Sequence, residues 1–165
     1  MVILSGRPAL GGADAFSKGP LIKEFGPVAT VEMTRTLPAD SRFAVSFDVA
    51  EQSEEGKVNR RIESAARFLN MHVAAGVKAE NITLAIVIHG KAVFDVSRDA
   101  RHGAENATAE LVKILLQHGV RIQVCGQSAA YYDVGPDDLL PGVEMALSAM
   151  TAHAQLQQQG FTLNP

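Results

Sequence analysis

Hydrophobic and polar positions follow patterns that predict several strands and helices from about residue 42 onward. Residues 42–49 have apolar side chains at every second position, which predicts a strand with one buried face. Residues 81–88 form a continuous β-branched apolar run, typical of a parallel strand that helices cover on both faces. Residues 120–124 form a shorter strand of the same kind. These segments predict three neighbouring strands of one sheet.

The segments between these strands have the periodicity of helices. Apolar residues recur at helical spacing from Val58 to Val73, and Gly76 supplies a stop after them. Asn106 is suited to cap a second helix, which ends at Gly119. Because strands and helices alternate along the chain, we expect right-handed crossovers between parallel strands.

The C-terminal region fits two patterns. Alternation over 143–147 predicts a strand, whereas the apolar residues that follow repeat at helical spacing. We divide the region into a strand over 143–147, a helix from about Ser148 and a closing strand over 161–163. The sequence therefore predicts an α/β domain with a mainly parallel sheet of about five strands.

Residues 1–40 contain repeated Gly and Pro breaks and show no sustained period, which predicts an extended N-terminal arm before a domain over 41–165. The first four residues are apolar, and a small-residue stretch ending at Ala13-Asp14-Ala15 resembles the cleavage site of a signal peptide. The arm is either a signal-peptide remnant up to about residue 15 or a disordered extension. The first alternative predicts a periplasmic protein, and the second a cytoplasmic one.

Composition narrows the classes of partner. The 165-residue chain has a formal net charge of -3, lacks Trp and shows no basic stripe, so we expect no nucleic-acid partner. No apolar run approaches the roughly 20 residues that span a bilayer, so no membrane association is expected.

The chain has one cysteine, which excludes an intramolecular disulfide and a thiolate metal cluster. No phosphate-binding glycine motif is present, and no histidines occur at metal-ligand spacing, so we predict neither a cofactor nor a metal. No role is assigned to the remaining histidines, which are His72, His102, His118 and His153.

Two reactive side chains lie at the predicted carboxyl ends of strands, where open parallel sheets bind their ligands. Cys125 precedes a turn into a helix, whose N-terminal N–H groups favour the thiolate. His89 ends the neighbouring strand, and Gly90 allows close backbone approach. The alternatives are a buried, inert cysteine and a histidine with a structural hydrogen bond.

Four segments carry a resemblance to a known family: residues 66–72, 87–92, 124–128 and 139–151. The most specific are V-C-G-Q-S at 124–128 and V-x-H-G at 87–90. Over residues 42–165 the chain resembles the DsrE/DsrF-like proteins, in a single-cysteine subfamily. The resemblance implies a flavodoxin-like three-layer fold, assembly into trimers or hexamers, and sulfur relay through a cysteine persulfide.

The resemblance also implies roles for individual residues. Cys125 would accept sulfur from a donor, and His89 would handle the proton. The anionic sulfur would be surrounded by the backbone and hydrogen-bond donors of Gly90, Gly126, Gln127 and Ser128. Asn59 would border the same edge of the sheet. Expected partners are sulfur donor and acceptor proteins or small sulfane-sulfur compounds.

Two other functions remain open from the sequence. The first is a non-catalytic oligomeric binding or scaffold protein in which Cys125 only packs. The second is a thiol redox or sulfide sensor, which needs a partner's thiol because the chain has no second cysteine.

Overall fold

The computed structural model describes residues 11–164 of the chain. Two short antiparallel strands come first, β1 (Phe16–Ser17) and β2 (Val28–Ala29). Five further strands form one sheet: β3 (Phe43–Val49), β4 (Ile82–Ile88), β5 (Arg121–Cys125), β6 (Glu144–Ala146) and β7 (Thr162–Asn164). The helices are α1 (Arg60–Ala74), α2 (Asp99–His102), α3 (Ala109–Gln117), α4 (Gly126–Tyr131) and α5 (Ala149–Gln158).

The five-stranded sheet is parallel throughout and has the order β6-β5-β4-β3-β7. The first four of these strands lie side by side in chain order, and the last returns to the far edge beside β3. The predicted class, an α/β fold with a parallel sheet of about five strands, is confirmed. Its layers are those of flavodoxin-like folds, although its strand order is not the 2-1-3-4-5 order of flavodoxin.

Helices cover both faces of the sheet, which explains why the run at 82–88 is apolar on both sides. Alternate residues of β3 and β4 pack against α1 and α3 in the larger core, with Ile62, Leu111 and Leu115 fully buried. The opposite face of the sheet packs against α5, where Ala152 and Leu156 are fully buried.

The path of α5 decides what lies at the carboxyl ends of the strands. It follows β6 at one edge, packs across the sheet and leads to β7 at the other edge. Its first turn begins at Ser148, whose hydroxyl accepts a hydrogen bond from the Thr151 N–H, a normal N-cap arrangement. The N-terminus of α5 therefore lies at the carboxyl ends of β5 and β6.

Part of the predicted N-terminal arm packs against α1. Ile22 is 1% exposed and belongs to the larger core. The Asn70 carboxamide on α1 accepts hydrogen bonds from the N–H groups of Leu21 and Ile22 and donates to the carbonyls of Ile22, Phe25 and Gly26. The boundary near residue 41 stays a prediction, and packing contacts cross it. The apolar start of the predicted signal peptide lies outside the described residues.

None of the helices in the described part of the chain has the length and hydropathy of a membrane span.

Candidate functional site

Cys125 is the last residue of β5 and the N-cap of α4, as its place in the sequence predicts. The chain turns into the helix directly at Gly126, whose Cα lies against the end of β6. A Cβ at that position would lie 2.6 Å from the Ala146 carbonyl oxygen, so only glycine fits without a shift of β6. The close contact between the two strand ends fixes where the thiol lies.

The thiol of Cys125 is buried, with 6% of the residue exposed. Burial raises the pKa of this thiol. Hydrogen bonds from the Ser128 hydroxyl and from the N–H groups of Ser128, Ala149 and Gln127 together lower the pKa by more than burial raises it. The net effect is a pKa below the ordinary value of a thiol. The donors come from the first turns of α4 and α5, so two helix N-termini stabilise the thiolate.

Ser128 connects the thiol to the end of the neighbouring strand. Its Oγ accepts a hydrogen bond of 3.0 Å from the N–H of Gly90, and its hydroxyl is one of the groups that lower the pKa of the Cys125 thiol. Gly90 has a φ of 54°, and a Cβ there would lie 2.7 Å from the Ala50 carbonyl oxygen. The glycine lets the chain turn sharply after β4 and present its N–H to Ser128.

His89 lies beside Cys125 at the same edge of the sheet. The preceding residues, Ile88 and Val124, are paired in register between β4 and β5. The side chains of His89 and Cys125 are therefore on the same face, the one covered by α5. Among the described residues, no hydrogen bond joins the imidazole directly to the thiol.

The imidazole of His89 instead binds Asp48 on β3. Its Nε2 lies 3.1 and 3.0 Å from the two carboxylate oxygens of Asp48. A second imidazole, that of His153 on α5, places its Nε2 2.8 Å from Asp48 Oδ1. Three ionisable side chains from three elements thus meet on the face of the sheet that carries the thiol.

Asp48 and His153 were missed from the sequence, where His153 was assigned no role. Asp48 is the second-last residue of β3 on the face opposite its apolar positions, so strand alternation contained a signal for it. His153 lies four residues after Ala149, on the same stripe of α5 as an N–H donor to the thiol. The helix was predicted from about Ser148, which is its observed N-cap, but its periodicity does not indicate that it packs across the sheet toward Asp48.

The hydrogen bonds of Asn59 go to groups other than the thiol. Its Oδ1 caps α1 by accepting from the N–H groups of Arg61 and Ile62, and its Nδ2 donates to Asp95 at 2.6 Å. Its backbone N–H donates to Thr108. The structure gives this residue a helix-capping role in a buried polar network, and no contact with Cys125 appears among the described residues.

Gln127 lies at the outer edge of the site. Its side-chain amide donates a 3.3 Å hydrogen bond to the Leu147 carbonyl. The nearby side chains of Leu147 and Met150 are 72% and 81% exposed. Leu147 and Met150 therefore form an apolar rim at the start of α5, the helix whose Ala149 N–H lowers the pKa of the thiol.

Within residues 11–164, no group of three or more His, Cys, Asp or Glu side chains is arranged to hold a metal ion.

The fold and site define a parallel α/β protein with an acidic, buried thiol at a strand end. The family model of the DsrE/DsrF-like family matches residues 42–165, and the chain belongs to that family. No curated protein matches the chain.

Two solved structures share the fold. A protein of unknown function from Methanobacterium thermoautotrophicum, MTH1491, superposes with a TM-score of 0.57 at 22% identity, over 74% of this chain and 97% of that one. The ychN protein from E. coli superposes with a TM-score of 0.50 at 18% identity, over 74% of this chain and 100% of that one. At these identities the similarity shows the fold alone.

Proposed function

We propose that the protein is a persulfide-forming sulfur carrier in which Cys125 accepts the sulfur. The observation that supports this most is the set of hydrogen-bond donors around the thiol, which lowers its pKa despite burial. A thiol that only filled space would need no such donors. Thiolate is the form that attacks sulfane sulfur.

The reaction needs no cofactor from the chain. The Cys125 thiolate attacks the outer sulfur of a persulfide donor, a new S–S bond forms, and the donor's thiolate leaves. The N–H groups of Gln127, Ser128 and Ala149 then stabilise the persulfide anion as they stabilise the thiolate. Gly90 and Gly126 allow the close backbone contacts that hold these donors in place.

Burial of the thiol favours small donors. With 6% of Cys125 exposed, a polysulfide or a low-molecular-weight persulfide reaches the sulfur more easily than a folded protein does. Transfer to a protein acceptor requires the apolar rim at Leu147 and Met150 to move or to dock on that partner.

The second candidate function is a non-catalytic binding protein. It is favoured by the same burial of Cys125 and by the exposed Leu147 and Met150, which are apolar side chains of the kind that partners cover. In this alternative the thiol packs without reacting. Assembly into trimers or hexamers remains a prediction under both functions.

Intact-mass analysis after incubation with polysulfide separates the two functions. We expect the wild type to gain sulfur in steps of about 32 Da, the persulfide step of thiol exchange, and Cys125→Ala to gain none. If the folded wild type gains no sulfur and also resists iodoacetamide, the carrier function is wrong and the binding protein takes its place.

A further inference from the structure

Asp48 joins two imidazoles that come from two different elements. His89 follows β4, and His153 lies on α5, which packs over the sheet. Their Nε2 atoms lie 3.0 Å and 2.8 Å from carboxylate oxygens of the one aspartate. The carboxylate is thus the common partner of both rings.

The hydrogen bonds fix which ring nitrogens carry protons. Burial raises the pKa of Asp48, but hydrogen bonds from His89 and His153 lower the pKa by more than burial raises it. The carboxyl is therefore ionised at neutral pH. An ionised carboxylate only accepts hydrogen bonds, so both Nε2 atoms must donate. The Nδ1 atom of each neutral ring is then a lone-pair acceptor.

The two rings differ in what surrounds Nδ1. Nδ1 of His153 is buried and has no partner among the described residues, so a proton added there would have no acceptor. The His89 side chain is 32% exposed and lies at the rim beside Cys125. Of the two, only His89 has an Nδ1 that can exchange a proton with the site.

Among the described residues that line the cavity next to Asp48, the other charged groups are cationic. Arg61 and Arg67 line a cavity of about 220 Å³ whose wall includes Asp48. Neither guanidinium accepts hydrogen bonds, so neither competes with Asp48 for the imidazole N–H groups.

We propose that Asp48, held by His153, is a positioning residue that keeps His89 in the Nε2–H tautomer and directs its Nδ1 to proton exchange at Cys125. This inference rests on the proposed persulfide function. It follows the general arrangement in which a third group orients the base next to a nucleophile.

The proton transfer completes a balanced reaction. Cys125 thiolate attacks the outer sulfur of R–S–SH, the new S–S bond forms, and the electron pair of the old S–S bond leaves on R–S⁻. The neutral His89 ring takes the proton of the new Cys125 persulfide on its Nδ1 and passes this proton to R–S⁻, which gives R–SH. The sum is R–S–SH plus thiolate giving R–SH plus persulfide anion, with no oxidant consumed.

Nitrogen-15 NMR of the histidine rings in the full-length protein tests the tautomer directly. We expect both His89 and His153 to show the Nε2–H pattern in the wild type, with resonances assigned from His89→Gln and His153→Gln. In Asp48→Asn the amide nitrogen donates to one ring, so at least one imidazole changes to the Nδ1–H tautomer. A wild-type His89 in the Nδ1–H form overturns the proposal.

Two rates separate proton handling from thiol reactivity. With glutathione persulfide as donor, we expect Asp48→Asn and His89→Gln to release glutathione at least about tenfold more slowly than the wild type, since general acid catalysis commonly contributes more than that. Alkylation by iodoacetamide needs no proton transfer and should change less than about twofold by the same reasoning. The exposed His118→Gln is the matched control and should leave both rates unchanged.

The remaining outcomes are also decisive. Because glutamine keeps an N–H donor for Asp48, His153→Gln should transfer sulfur faster than His153→Ala; equal rates overturn the supporting role of His153. If Asp48→Asn folds and transfers sulfur at the wild-type rate, the positioning role is wrong. If the wild type takes up no sulfur, the proposed function fails, and the ring spectra still decide separately whether Asp48 sets the tautomer.

Discussion

At the scale of single residues, the site combines two opposed effects on Cys125. Burial removes water from the sulfur and disfavours the anion, whereas four hydrogen-bond donors favour it. The donors prevail, so the pKa is lowered in a place where an unassisted thiol would have a raised one. Ser128 contributes through both its hydroxyl and its N–H, and its hydroxyl is the group that mutation removes most cleanly.

Ser128→Ala should raise the pKa of Cys125. A hydrogen bond to a charged group contributes about 1.5–3 kcal/mol, which corresponds to a rise of about one to two pH units in the midpoint of thiolate formation. The measurement is the rate of iodoacetamide alkylation as a function of pH. Because the folded pKa is lowered in the wild type, its rate should persist at pH values where that of the variant has fallen.

The matched control for this substitution is Ser64→Ala. The Ser64 hydroxyl binds the Arg60 carbonyl within α1, away from the thiol, so this variant should keep the wild-type midpoint. An unchanged midpoint in Ser128→Ala would show that the hydroxyl does not stabilise the thiolate.

At the scale of elements, the site depends on how closely the end of β5 meets the end of β6. Cys125 pairs with Ala146, and the next residue, Gly126, has the Ala146 and Leu147 carbonyls against its Cα. The same contact brings the start of α5 to the sulfur, since α5 begins three residues after Ala146. The spacing between these two strand ends therefore controls the position of one of the four donors, the Ala149 N–H.

Gly126→Ala should destabilise the protein and disturb the thiol together. The new Cβ would lie 2.6 Å from one carbonyl oxygen and 3.1 Å from the next, which forces the strand ends apart. Overpacking of this kind costs about 1–3 kcal/mol. Urea unfolding measures the loss of stability. The pH midpoint of Cys125 alkylation should also rise, because the Ala149 N–H moves away from the sulfur.

Gly135→Ala provides the comparison, because its Cβ would lie 3.5 Å from the nearest atom, the Asp138 carboxylate, at ordinary contact distance. The free energy of unfolding of this variant should lie within about 0.5 kcal/mol of the wild-type value, as is usual for surface substitutions. Equal stability of the two alanine variants would contradict the close contact at β6.

The same elements show which features of the fold and site the sequence patterns predict and which they do not. Alternation predicted β3, continuous apolar runs predicted β4 and β5, and helical spacing predicted α1. The positions of Cys125 and His89 followed from the ends of strands. It did not predict that Asp48 and His153 meet His89. That contact joins residues 105 positions apart along the chain and depends on the path of α5 across the sheet. Burial of the thiol depends on the same path.

At the scale of the whole molecule, the described N-terminal segment extends the core beyond the region that matches the family model. That match begins at residue 42, whereas Ile22 and Val28 are buried before it. The segment turns its backbone toward Asn70, a fully buried carboxamide on α1. Without the segment, this polar group would face an uncovered part of the helix, and the apolar surface around it would be exposed.

A chain starting at Ser41 should therefore be less stable than the full chain. Exposing the Ile22 site loses about 1.5–3 kcal/mol of apolar burial, and each Asn70 hydrogen bond that is exchanged for water costs about 0.5–1.5 kcal/mol more. Urea unfolding of both chains, each with and without Asn70→Ala, gives a double-mutant cycle. We expect Asn70→Ala to destabilise the full chain by about 1–3 kcal/mol and to leave the truncated chain nearly unchanged, because its partners are already absent there. Equal effects in both chains, or equal stability of the two parent chains, would mean that residues 1–40 are an arm independent of the domain.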